Sequence, residues 1–83
     1  MKLQDEIVRR VQATLPDAVI ELRDLTGGGD HWQAVIVSAG FEGKLPVARQ
    51  RLVFGALGEL MHGPIHALTL KTLTPQQAQD SGR

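Results

Sequence analysis

The chain has 83 residues, 42% of them hydrophobic, and its nine basic and nine acidic side chains give a formal net charge of +0. That length supports one small domain with a single core, in which about 60% of the unfolded surface can be buried. The charge balance removes any global electrostatic case for nucleic acid or membrane, and a chain without cysteine has no disulfide framework and no thiolate nucleophile. The start, Met1-Lys2-Leu3-Gln4-Asp5-Glu6, lacks the apolar core of a signal peptide, and no apolar run is long enough to span a bilayer. A cytoplasmic protein that does not engage a membrane is the expectation.

Leu3, Ile7, Val8, Val11 and Leu15 recur at helical spacing with Arg9, Arg10 and Gln12 turned outward, which predicts an amphipathic helix closed by Pro16-Asp17. Ala18 to Asp24 alternates Ile20 and Leu22 against Val19, Glu21 and Arg23, and Trp32 to Ser38 is rich in β-branched residues, so both read as strands. Between them lies the glycine-rich connection Leu25-Thr26-Gly27-Gly28-Gly29-Asp30-His31. A short turn carries Gly40-Phe41-Glu42-Gly43-Lys44. Pro46 then opens a helical region whose stripe, Val53, Ala56, Leu57, Leu60 and Met61, is broken gently by Gly55 and Gly58 and ends at His62-Gly63-Pro64. The third strand, Ile65 to Thr72, sets His66, Leu68 and Leu70 on one face and Ile65, Ala67 and Thr69 on the other. Thr74-Pro75-Gln76-Gln77 matches a capping box. Only a few polar residues follow, so a domain over 1–74 and a frayed tail over 75–83 are expected.

Strands joined by a short loop pair antiparallel, and strands joined by a helical crossover pair parallel and right-handed. The order therefore predicts an α+β domain: one mixed three-stranded sheet with helices on one face.

Few groups in this chain carry chemistry. Gly27-Gly28-Gly29 runs into a strand and lacks a Gly-Lys-Ser/Thr ending, which excludes a phosphate loop of the P-loop kind. His31 ends that loop beside Asp30, as a candidate ligand or a solvated side chain. Lys44, Arg49 and Arg51, with Lys71 on the last strand, form either an anion site or a solvated face. Phe41 reads as a core plug or a stacking platform. No Ser-His-Asp arrangement or paired carboxylate suggests an enzyme. His62 and His66 are four apart, but Gly63-Pro64 interrupts the helix that such ligand spacing requires. His66 lies at the rim of the predicted core, where its ring can face a partner or metal or be satisfied by a backbone carbonyl.

Three stretches, Thr26 to Gln33, Phe41-Glu42-Gly43-Lys44 through Val53, and Pro64-Ile65-His66-Ala67-Leu68 through Pro75, closely resemble the BolA family. The similarity covers nearly the whole chain, and its form is nearest the short bacterial branch of the IbaG (YrbA) type. The resemblance implies a class II KH-like α-β-β-α-α-β fold. It also implies an adaptor in iron–sulfur and iron homeostasis that pairs with a monothiol glutaredoxin of the CGFS type and shares a [2Fe-2S] cluster. Glutaredoxin and glutathione would give thiolates, His66 the strand histidine, and His31 is the nearest candidate for a second ligand from the loop. Histidines can replace thiolates on one iron of such a centre, and no cofactor is expected in the isolated chain. Lys44, Arg49 and Arg51, with Phe41 and Gly43, are the candidates for partner binding. Two positions depart from the family pattern: Gly27-Gly28-Gly29 stands where many relatives carry Cys or His, and Arg49-Gln50-Arg51 replaces the usual Arg-His-Arg. A nucleic-acid-binding transcriptional regulator using the helix-turn-helix-like region from Phe41 to Met61 remains the second reading.

Overall fold

The structure is a computed structural model that describes residues 2–65 and 67–80. Among them, α1 (Leu3–Thr14) is followed by β1 (Val19–Asp24), β2 (His31–Val37), α2 (Pro46–Leu57), β3 (Ala67–Leu73) and α3 (Pro75–Asp80), with 3-10 turns at Ala39–Phe41 and Gly58–His62. The three strands form one sheet with β2 in the centre. β1 runs antiparallel to β2, from Val19 opposite Val37 to Asp24 opposite Trp32. β3 runs parallel to β2, from His31 opposite Ala67 to Val37 opposite Leu73. This is the mixed α+β sheet that the order of elements predicts.

Alternation along β2 sorts the two faces. Trp32, Ala34 and Ile36 are buried, and Ile7 and Val11 of α1, Val53 and Leu57 of α2, and Phe41 and Ile65 from the connections complete the same core. Each buried valine, leucine, isoleucine or phenylalanine among them contributes about 1.5–3 kcal/mol by leaving water. On the other face Val19, Glu21, Arg23, Thr69 and Lys71 are exposed, so the helices cover one side of the sheet only. α1 is also tied to α2 by a polar link: Arg10 Nη1 donates to the carbonyl of Leu57 at 3.2 Å, placing a cation at the carbonyl end of that helix, where its dipole favours one.

The third strand begins at Ala67 and not at Ile65, whose side chain belongs to the core and not to the opposite face. The helical region breaks at Gly58, one of the two glycines that interrupt its stripe: α2 stops at Leu57, where Gly58 takes φ 54°, and a 3-10 turn keeps Leu60 buried. The polar segment expected to fray instead forms α3 over Pro75–Asp80. Its capping box closes in both directions: Gln77 N–H donates to Thr74 Oγ1 at 3.1 Å, and Thr74 N–H donates to Gln77 Oε1 at 2.9 Å. Ala78 is buried beneath it. Residues 81–83 lie outside the described residues.

The turn after α1 is clamped to the end of β2. Ser38, itself buried, donates its hydroxyl to Asp17 Oδ1 at 2.6 Å, and the Ala39 N–H donates to Oδ2 at 2.7 Å. The serine hydroxyl first, and then the amide, hold the Asp17 carboxyl below its usual range. A carboxylate with a lowered folded pKa stabilises the fold at neutral pH, and that contribution disappears as the pH falls below its unfolded value of about 3.9. Asp17→Asn should therefore melt below the parent at pH 6, with the gap closing as the pH approaches about 2. Melting curves by circular dichroism check this, and a gap independent of pH would remove the carboxylate from the account.

Candidate functional site

Of the described histidines, His31 lies at the end of the sheet where β2 and β3 begin. His31 is the first residue of β2, and in the parallel register its partner is Ala67, the first residue of β3. The Ala67 N–H donates to the Asp30 carbonyl at 3.1 Å and the Leu25 N–H donates to the His31 carbonyl at 2.9 Å, so the start of β2 is bonded on both edges. The His31 ring is half-exposed, with Nε2 3.7 Å from Asp30 Oδ2. His66, the leading candidate ligand, lies outside the described residues. Its two sequence neighbours are described: Ile65 is buried at 1% exposure, and Ala67 opens β3.

The loop that delivers His31 is ordered by a side chain that the sequence reading did not single out for a role. Asp24, the last residue of β1, accepts from the N–H of Thr26 (3.3 Å) and Gly27 (3.0 Å) on Oδ1, and from the N–H of Gly29 (2.9 Å) on Oδ2. Gly27 and Gly29 adopt φ 80° and 78°, a region that only glycine enters without strain. The amides that could cradle a phosphate are thus taken by the protein's own carboxylate, which agrees with the rejection of a P-loop. The pattern Asp24-Leu25-Thr26-Gly27, an aspartate two residues ahead of a turn it bonds, is the local signal that could have revealed this.

The basic cluster does not survive as a unit. Arg49 is 8% exposed, donating from Nε to the Lys44 carbonyl (2.8 Å) and from Nη1 to Gln77 Oε1 (2.8 Å) and the Thr72 carbonyl (3.4 Å). Its guanidinium lies 5.9 Å from the centre of the Phe41 ring, within reach of a cation–π contact. Arg49 therefore ties α2 to the end of β3 and to α3, and is no surface cation. Phe41 is at 0% exposure and is the core plug, unavailable to a partner. Lys44, Arg51 and Gly43 are exposed, and they are what remains of the proposed docking set. His62, also exposed, ends the 3-10 turn and lines an open groove with Phe54, Gly58, Glu59 and Met61.

Among the described residues no three His, Asp or Glu side chains converge as a metal site, and no helix there is long and apolar enough to cross a membrane. What the sheet end presents is imidazole from this chain. In a cysteine-free chain, thiolate ligands to any iron held here must come from another molecule.

The family model described as BolA-like protein matches residues 3–77. The chain is 36% identical over 81 residues to BolA-like protein 1 of Homo sapiens, a match that takes in 89% of this chain and 59% of the human protein. It thus spans little more than half the length of that relative. It is 42% identical over 53 residues to a Vibrio cholerae protein named DNA-binding transcriptional regulator BolA, covering 64% of this chain and 50% of the relative. Among solved structures, a bol-like protein from Babesia bovis superposes with a TM-score of 0.85 at 36% identity, over 100% of this chain and 96% of the other. The matched span, the sheet order and these likenesses agree, and the chain belongs to the BolA-like protein family.

Proposed function

We propose that this chain is an adaptor that shares a [2Fe-2S] cluster with a monothiol glutaredoxin, contributing imidazole while the glutaredoxin and glutathione contribute thiolates. The observation that supports this reading most is the parallel register of β2 and β3. It sets His31 opposite Ala67, the residue that follows His66 in the sequence. His66 would be the principal ligand and His31 the second. Replacing thiolate by neutral imidazole on one iron makes a cluster less negative and raises its potential. The protein's own part in this reading is to supply imidazole, that of His31 from the first residue of β2. The reading assigns the chain no catalytic residue.

Anaerobic reconstitution with a monothiol glutaredoxin and glutathione, followed by visible circular dichroism, tests the proposal. A spectrum distinct from that of the glutaredoxin alone supports it. Absence of a mixed spectrum, together with tight, salt-dependent binding to duplex DNA, would favour the regulator reading that the Vibrio cholerae relative suggests. A net charge of +0 weighs against that alternative, because nonspecific affinity grows with the number of phosphates neutralised.

Docking in this reading uses the exposed cations Lys44 and Arg51. Reversing both charges to glutamate should weaken the mixed complex roughly tenfold at low salt and by less at high salt, where rim charges are screened. Calorimetric titration at two ionic strengths measures this, and equal affinities would return both residues to solvent.

A further inference from the structure

We propose that Asp24 is a positioning residue for His31: together with the Trp32 indole it clamps the Gly29 peptide, and so holds the end of the loop that leads into β2. The proposal rests on the shared-cluster reading above and adds to it the device that sets the loop ligand.

The Gly29 peptide is gripped at both of its polar groups. Its N–H donates to Asp24 Oδ2 at 2.9 Å, and its carbonyl accepts from Trp32 Nε1 at 3.0 Å. Trp32 is 6% exposed and belongs to the core, so the loop is referenced to the rigid interior and not only to its own turn. The next carbonyls are also engaged, Asp30 by the Ala67 N–H and His31 by the Leu25 N–H. Thr26 Oγ1 adds a bond to Asp30 Oδ1 at 3.3 Å. Three consecutive glycines would otherwise sample a wide range of φ and ψ, and fixing them costs conformational entropy that the clamp must offset. A carboxylate suits this task because each oxygen serves a different part of the turn, Oδ1 the Thr26 and Gly27 amides and Oδ2 the Gly29 amide.

Asparagine at position 24 keeps one acceptor and turns an NH2 toward another N–H, so Asp24→Asn should release Gly29 selectively. Trp32→Phe keeps the aromatic packing and removes the second grip. In the isolated chain, amide hydrogen exchange by NMR should show Gly29 exchanging about tenfold faster in Asp24→Asn, with the Ile36 and Val53 amides unchanged. In the mixed complex, Asp24→Asn and Trp32→Phe should shift the visible circular dichroism of the cluster in the same sense as His31→Ala. They should also shorten its lifetime about tenfold, within the range for loss of a group that orients a metal ligand. Unchanged Gly29 exchange overturns the clamp. Faster exchange with a cluster identical to the parent's, while His31→Ala alters it, overturns the positioning role and leaves the shared-cluster reading standing. A His31→Ala complex identical to the parent's removes His31 as a ligand, and the positioning role with it. A parent chain that forms no mixed complex overturns the shared-cluster reading itself.

Discussion

His66→Ala should abolish the cluster spectrum of the mixed complex while leaving the fold of the isolated chain intact. The expectation follows from what flanks the residue. Ile65 is buried in the core and Ala67 is bonded to the Asp30 carbonyl, so the backbone on both sides of His66 is anchored by groups that the substitution leaves in place. Losing an outer hydrogen-bond partner of a ligand typically costs 10–100-fold in metal affinity, roughly, and losing the ligand itself should cost more. His62→Ala is the matched control, since His62 is exposed at the end of the 3-10 turn, across Gly63-Pro64 from His66. Visible circular dichroism of the reconstituted complex decides between them. A His66→Ala complex with the parent's spectrum would end the assignment, and a His62→Ala complex that loses it would move the ligand to the other histidine.

The sheet was legible in the sequence because its signals are local. The alternation of β2, the short hairpin connection and the helical crossover fix strand order and direction without any knowledge of packing. The site was legible only in part. A hairpin turn sets antiparallel register, but a crossover leaves the offset of a parallel pair free, so the pairing of His31 with Ala67 could not be read from spacing. Arg49 and Arg51 were grouped by proximity along the chain, yet residues two apart on a helix do not face each other. The buried series Arg49, Val53, Leu57 runs in steps of four and puts the arginine on the core side, a periodicity present in the sequence but masked by charge. α3 was missed for a related reason. It has a single buried alanine rather than an apolar stripe, and besides the Thr74–Gln77 cap that the sequence shows it is held by a hydrogen bond from Arg49, which the sequence alone does not pair with it.

Arg49→Ala should therefore lower stability, where an exposed docking residue would lower only affinity. The substitution removes three hydrogen bonds, to the Lys44 carbonyl, the Thr72 carbonyl and Gln77 Oε1, together with the contact over the Phe41 ring. Bonds from a charged donor are worth about 1.5–3 kcal/mol each, but the acceptors left behind lie close enough to the surface to recover water, so a net loss of roughly 2–3 kcal/mol is expected. In a domain of this size that corresponds to a fall in melting temperature of about 10–20 °C. Arg49→Lys should recover little of it, because an ammonium cannot reproduce the planar fork that reaches separate acceptors on α3, β3 and the loop before α2. α3 should loosen first, since Gln77 serves both Arg49 and the Thr74 cap. Thermal melts with amide exchange of residues 75–80 measure both effects. An Arg49→Ala chain that melts with the parent but binds glutaredoxin more weakly would return Arg49 to the docking surface.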